Sequence, residues 1–254
     1  MVVQIGSARV DERGKYSGGK AGDQTNLEVS TQNWYLHKKG WFVLRAKNPA
    51  DRAKIAYAMK AACYNNKIGY SQSDRYGLIN KVKNKGYDPT KCTENVNTDC
   101  SALVRVCIAY AGIVLGDFNT SSEKQVIMNS GKFDLLTESK YTNSSDYLLA
   151  GDILCTKTKG HTVVVLTNGS KTGSVEKNLS KPSVAKYTVK KGSKGTQVKN
   201  LQSDLNYVLG TNLAIDGDCG DNTINALKEF QKKYGLEVDG IYGKSSFNKM
   251  KELI

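Results

Sequence analysis

Two residues have the types and settings that thiol chemistry needs. Cys100 lies in Asn97 Thr98 Asp99 Cys100 Ser101 Ala102 Leu103 Val104 Arg105 Val106 Cys107 Ile108 Ala109 Tyr110 Ala111 Gly112. Leu103, Val106, Cys107 and Tyr110 recur at helical spacing, Thr98 or Asp99 can cap the start, and Gly112 can stop it. Cys100 then sits in the first turn, where unpaired backbone N–H groups and the helix dipole are expected to favour thiolate over thiol. The same N–H groups can hold a developing oxyanion. His161 opens the β-branched run His161 Thr162 Val163 Val164 Val165 Leu166 Thr167, a predicted strand of an antiparallel meander ended by the turn Asn168 Gly169. A histidine there can take the thiol proton and return it to a leaving amine. Each residue also has an ordinary structural reading, as a small buried thiol and a core histidine, and whether they meet is decided by the tertiary fold.

The elements that must position this pair are partly legible. Val10 to Val29 carries Gly14, Gly18, Gly19 and Gly22 with little apolar periodicity and reads as a loop. Asp23 and Gln24 at its end could line a site or orient a base. Trp34, Tyr35, Trp41, Phe42 and Val43 around Lys38 Lys39 Gly40 suit a short hairpin or an aromatic wall, with His37 expected to be exposed. Pro49 and Asp51 open a helix with Ile55, Ala58, Met59 and Ala62 on one face, running to about Asn65. Lys67 to Gln72 is extended, and the polar stretch through Tyr87 Asp88 Pro89 to Cys92 is expected to be a lid or long loop. Gly116 to Lys132 reads as loop plus a short helix, and Leu148 to Cys155 as a turn feeding a strand.

The 254 residues suffice for two domains with buried cores. Six cysteines without close paired spacing argue for reduced thiols. With only His37 and His161, a metal site would need Cys92, Cys100 and Cys107, whose spacing fits no zinc pattern, so no metal or other cofactor is expected. The net charge of +13 favours an anionic partner. Lysines and arginines are scattered and no nucleic-acid motif accompanies them, which points away from nucleic acid; a polyanionic surface such as a cell wall would attract the same charge, and solubility alone would account for it equally. Met1 to Val10 lacks the pattern of a signal peptide, and no apolar run reaches membrane-spanning length.

Thr98 Asp99 Cys100 Ser101 Ala102 Leu103 Val104 resembles the Asp-Cys-Ser-Gly-Leu-Val motif of the NlpC-type cell-wall cysteine peptidases, a papain-like family, with Ala102 in place of glycine. Leu149 Ala150 Gly151 Asp152 Ile153 Leu154 is similar to that family's Pro-Gly-Asp-Leu strand, and Gly160 to Gly169 to its histidine strand and turn. The resemblance implies Cys100 as nucleophile, His161 as general base, and Tyr70 beside the nucleophile as a substrate-binding residue, although the tryptophan and glycines that usually follow such a tyrosine are missing. The family's third polar residue would fall near Gly173. If Asn168 Gly169 closes a hairpin, Glu176 lies opposite His161 and is the expected orienting group. Glu176 with Asn178 also resembles the Glu-x-Asn end of the CHAP amidase/peptidase family, and Asn178 and Asp23 are the alternatives.

From Lys186 the sequence resembles a PG_binding_1 peptidoglycan-binding module. Val189 to Leu205 looks like its start, followed by Asp216 Gly217 Asp218 Cys219 Gly220 and, 23 residues later, by Asp239 Gly240 Ile241 Tyr242 Gly243. Val198, Leu201 and Leu205, then Ile224, Leu227 and Phe230, then Phe247 and Met250 form inner faces of three predicted helices. The glycines suit left-handed turns and the aspartates are expected to cap helices. The expected fold is α+β: a papain-like cysteine peptidase domain, residues 1–178, with a Cys-bearing helix packed on an antiparallel sheet, a linker at 179–187, and a three-helix wall-binding domain at 188–254. The resemblances imply a monomeric peptidoglycan hydrolase of the endolysin kind. It would be held in the host cytoplasm until lysis and would cleave a stem-peptide amide, typically D-γ-glutamyl to diamino acid. A truncated autolysin would read alike. The competing readings are a CHAP-type N-acetylmuramoyl-L-alanine amidase and a non-catalytic wall-binding protein.

Overall fold

Short runs rich in valine, isoleucine, threonine and aromatic residues pair as strands in the N-terminal unit, because such side chains pack well on a pleated surface. In chain order the elements are β1 (Gln4–Ala8), β2 (Val29–Asn33), β3 (Trp41–Ala46), α1 (Pro49–Cys63), β4 (Ile68–Tyr70), α2 (Gly77–Val82), β5 (Val96–Thr98), α3 (Cys100–Tyr110), α4 (Glu123–Asn129), β6 (Phe133–Leu136), α5 (Ser139–Thr142), β7 (Ile153–Thr156) and β8 (Thr162–Val165). The C-terminal unit holds α6 (Thr196–Leu209), α7 (Asp221–Lys233) and α8 (Lys244–Leu253). The computed structural model describes residues 2–172, 185, 188–209, 211 and 213–253. The chain divides into units 1–172 and 173–254.

Six strands form one antiparallel sheet in the order β2-β1-β8-β7-β3-β6, while β4 and β5 pair in parallel beside it. Alternation along each strand gives the sheet two buried faces. Phe42, Leu44, Ile153, Cys155 and Val164 face α1 and α3, packing with Ile55, Met59, Leu103, Val106 and Cys107. Val3, Ile5, Trp41, Val43, Leu154, Val163 and Val165 form the opposite face. Asn48 caps α1, its side chain accepting from Ala50 N, and proline stands at the helix start. Asp99, rather than Thr98, caps α3, its Oδ1 accepting from Ala102 N at 2.7 Å, and Gly112 just past the helix takes a φ of 91°.

Three expectations are corrected here. Asn168 Gly169 closes no hairpin onto β8: Ala150 N donates to Asn168 Oδ1 at 2.7 Å and Gly169 N to Leu148 O at 2.8 Å, so the turn folds back on the loop before β7. The place beside β8 is taken by β1, with Ile5 opposite Val165 and Gly6 opposite Val164. Continuing that register puts Ala8 opposite Thr162 and Arg9 opposite His161. Gly173, Glu176 and Asn178 lie outside the described residues, as does most of the expected linker. The stretch from Ser71 to Cys92 is no lid, since it winds through short helical turns and α2 and buries Leu78, Val82 and Cys92 in the core. The glycine-rich loop before β2 lies over β4 so closely that a Cβ on Gly69 would stand 2.3 Å from Gly22 O.

In the C-terminal unit the three helices bury Val198, Leu201, Leu205, Ile224, Leu227, Phe230 and Met250, with Phe247 packed against them. The third correction concerns the aspartates, which close turns instead of capping helices. Asp216 Oδ1 accepts from Asp218 N and from Gln202 Nε2, both at 2.8 Å, while Gln202 Oε1 accepts from Gly217 N. The second turn repeats this: Asp239 Oδ1 accepts from Ile241 N and Gln231 Nε2, and Gln231 Oε1 accepts from Gly240 N. The internal repeat is thus a repeat of hydrogen bonds around a buried glutamine.

Candidate active site

Cys100 begins α3 because β5 ends at Thr98 and Asp99 turns the chain, its carboxylate taking up an N–H that no helical carbonyl can reach. Arg75 fixes this start from the side. Its Nε donates to Asp99 Oδ2 at 2.8 Å, and its terminal nitrogens donate to Ser101 Oγ at 3.0 Å, Phe118 O at 2.6 Å and Asp117. The Cys100 side chain is buried, α3 packs against β8, and the backbone N–H groups of Thr162 and Ser101 act to lower the thiol's pKa. His161 is the residue before Thr162. Its backbone ends the hairpin from β7, with His161 N donating to Thr156 Oγ1 and Thr156 N to His161 O, both at 3.0 Å.

The expected thiolate is overturned. Burial pushes the Cys100 thiol up to about 12, and the carboxyls of Asp99 and Glu123 add to that, outweighing the Thr162 and Ser101 donors. A helix start favours a negative sulfur only where water or cations reach it, and here Asp99 already occupies the positive end of the dipole. Burial likewise lowers His161 to about 4, helped by the charges of His37 and Arg9. The resting forms are therefore neutral thiol and neutral imidazole.

Tyr70 is buried near the sulfur, its ionisation pushed up by burial and by Cys100, and its hydroxyl accepts from Gln72 Nε2 at 3.1 Å. Asp23 is not brought to His161. Its carboxylate accepts from Thr25 N at 3.0 Å and Val29 N at 3.3 Å, bracing the loop before β2. Gln24 donates to Ala21 O and Gly22 O in the same loop.

Several neighbours escaped the sequence reading. Tyr35 is half-buried, its ionisation raised by burial, with Arg9 lowering and Cys100 raising it further. Arg9 donates to Ser30 Oγ and to Gln32 Oε1, neutral acceptors both. His37 is half-buried, not exposed: its ring centroid lies 5.1 Å from that of Trp41, and its Nδ1 accepts from Lys39 N. Glu123 lies wholly buried beneath Cys100. Alternation with Ile5 and Ser7 could have placed Arg9 on the His161 face once β1 was known to pair with β8; nothing local marks Arg75. Among the described residues no three His, Cys, Asp or Glu side chains gather as a metal-ligand set, and no helix is long and apolar enough to cross a membrane.

Fold and site together define a mixed α/β domain in which a buried cysteine at a helix start meets a strand led by histidine. Residues 5–172 match the endolysin-like domain, and the chain belongs to that family. Residues 194–250 match the PG_binding_1 peptidoglycan binding domain. Over 68 residues the chain is 44% identical to the zinc D-Ala-D-Ala carboxypeptidase of Streptomyces albus G, covering 26% of this chain and 27% of that protein. It is 47% identical over 58 residues to the N-acetylmuramoyl-L-alanine amidase CwlL of Bacillus licheniformis, covering 22% of this chain and 16% of the relative. The chain thus spans about a quarter or less of the length of these curated relatives. A peptidoglycan-binding protein from Clostridioides difficile, solved with glutamine hydroxamate, shares 29% identity over 39% of this chain and 49% of that one; its TM-score of 0.25 bears on neither fold nor function.

Proposed function

We propose that this protein is a peptidoglycan hydrolase of the endolysin kind, in which Cys100 and His161 form a papain-like thiol site and the C-terminal unit holds the wall. The observation that carries the reading is the buried Cys100 thiol at the start of α3, behind its Asp99 cap, in a helix packed on β8, the strand that His161 precedes. Membership of the endolysin-like family and the PG_binding_1 match support the substrate class. The resemblance of the cysteine, Gly-Asp and histidine blocks to NlpC-type peptidases favours the D-γ-glutamyl to diamino acid amide as the bond cut.

Catalysis starts from the neutral pair. Substrate excludes water, the imidazole of His161 takes the proton from Cys100 Sγ, and the sulfur attacks the amide carbonyl. Backbone N–H groups at the start of α3 stabilise the tetrahedral oxyanion. His161 returns the proton to the leaving amine, and water then hydrolyses the thioester with His161 again as base. Because His161 must be neutral, activity should fall only when the pH drops towards about 4. Tyr70 and Tyr35 would flank the bound peptide. Holding the wall raises the local concentration of scissile bonds without tightening the site itself.

The test is turbidity loss of purified peptidoglycan with wild type and Cys100→Ser, followed by mass analysis of the fragments. Lysis by wild type alone, releasing peptides with a new N-terminal diamino acid, is the expected result. Equal lysis by both proteins would overturn the nucleophile, fragments with free lactyl sugar would assign the amidase reaction, and retention on the wall without lysis would favour a binding protein.

A further inference from the structure

Glu123 opens α4, is completely buried, and has no task in the mechanism above. Thr162 Oγ1 donates to its Oε1 at 2.7 Å, whereas Oε2 is buried without a hydrogen-bond partner. The groups facing it are Asp99 and Cys100 from α3, Cys155 from β7 and Thr162 from β8. None carries a positive charge. Asp99 is already paired with Arg75, and the Cys155 thiol lies among the carbonyls of Thr120 and Thr156 and the Glu123 carboxyl. A carboxylate so placed would be a buried charge with one hydroxyl donor, a weak thiol donor and no cation, so the group is stable there as the acid. Burial raises Glu123 to about 8, in keeping with that.

We propose that Glu123 is a positioning residue that acts in its neutral form: by accepting from Thr162 Oγ1 it fixes the start of β8 against α3, and with it the position of His161, the residue before Thr162. The start of the strand that follows His161 and the helix that begins with Cys100 are thus tied through one buried carboxyl. Neutrality matters as much as the hydrogen bond. An ionised Glu123 would set a second negative charge beneath the sulfur at the moment Cys100 gives up its proton, and its carboxyl already adds to the resistance of that thiol to ionise. The inference rests on Cys100 being the nucleophile.

The experiment uses the full chain with Glu123→Gln, Glu123→Ala and Thr162→Val. Two readouts are followed across pH: turnover of purified peptidoglycan, and alkylation of Cys100 by iodoacetamide, read by mass analysis of the peptide that carries it. Glu123→Gln keeps the acceptor and cannot ionise. It should hold kcat within about twofold at neutral pH and move the alkaline fall of kcat upward by roughly one unit or more. Its Cys100 should also alkylate faster than wild type at alkaline pH. Glu123→Ala and Thr162→Val should lower kcat by roughly tenfold to a hundredfold with KM little changed, as expected for misplaced reacting groups. A folded Glu123→Gln as inactive as the alanine variant would overturn the proposal by showing that the charge is needed. A Glu123→Ala with wild-type kcat and pH profile would reduce Glu123 to filler. If the alanine variant does not fold, Glu123→Gln and Thr162→Val decide. If wild type cleaves no peptidoglycan, the functional reading fails by itself, and the alkylation profiles still decide this one: faster alkaline alkylation in Glu123→Gln sustains it, and identical profiles overturn it.

Discussion

The buried glutamines of the C-terminal unit and the buried Glu123 of the N-terminal unit are side chains of nearly the same shape in opposite situations. Gln231 donates to Asp239 Oδ1 at 2.7 Å, Ile241 O at 3.0 Å and Ser246 Oγ at 3.3 Å, and accepts from Gly240 N at 2.9 Å. Gln202 does the same with Asp216, Asp218, Thr223 and Gly217. Glu123 makes one such bond and leaves an oxygen without a partner. A polar network that only builds a fold can be closed completely, and these two are. The network around Glu123, beside Cys100, stays open on one side, at the place where the proposed mechanism moves a proton.

That contrast can be broken or sharpened by substitution. The largest effect should come from Arg75→Met, which strands the Asp99 carboxylate at the start of α3. It should destabilise the N-terminal unit by about 3–5 kcal/mol, as removal of one partner of a buried ion pair does. Hydrogen exchange should show the loss in α3 amides and not in α6 to α8; uniform loss across both units would deny the network its local role. Gln231→Leu should destabilise the C-terminal unit by about 1–3 kcal/mol, the cost of leaving the Gly240 N–H and the Asp239 carboxylate without it. A neutral outcome in denaturant titration would mean that the repeat is decoration.

Asp204 is the C-terminal unit's own open group, buried with Oδ2 accepting from Ala185 N at 2.8 Å and Oδ1 without a partner. Burial raises it from 3.8 to about 7. The folded state therefore holds its proton more tightly than the unfolded chain, and the stability this lends is complete below about pH 4 and lost as the pH rises through about 7. Asp204→Asn should remove that decline, raising the alkaline melting temperature of this unit by a few degrees and leaving the acid one unchanged. The smallest effect is expected of Lys191→Ala, which breaks an exposed pair with Asp221 and should change stability by less than about 0.5 kcal/mol.

Local signals in the sequence were sufficient for α3, for β8, for α1 behind Pro49 and Asp51 and for the three helices of the C-terminal unit. Each is announced by periodicity and a terminating residue within a dozen positions. What stayed hidden depends on distant chain. Asn168 Gly169 reads as a hairpin turn, and only the arrival of β1 beside β8 shows that the expected partner strand has no place there. Asp23 stands on a glycine-rich loop, but that loop is folded over β4 rather than towards His161. The thiol of Cys100 is governed by burial, by its neighbour Asp99 and by Glu123, and of these only Asp99 is visible in its own segment. Arg75 reaches Asp99 from a stretch with no helical or strand pattern at all.

The pairing of β1 with β8 also sets an order of events. On a ribosome the first strand is available at once and can pair with β2 early, but its other edge waits until Val164 and Val165 have emerged. Closing that gap is slow because the contact spans nearly the whole unit. Until then the strand that follows His161 has no neighbour on one side, so the sheet on which α1 and α3 pack is incomplete in a half-made chain. The N-terminal unit should therefore gain its native stability in a single late step of folding rather than in proportion to length.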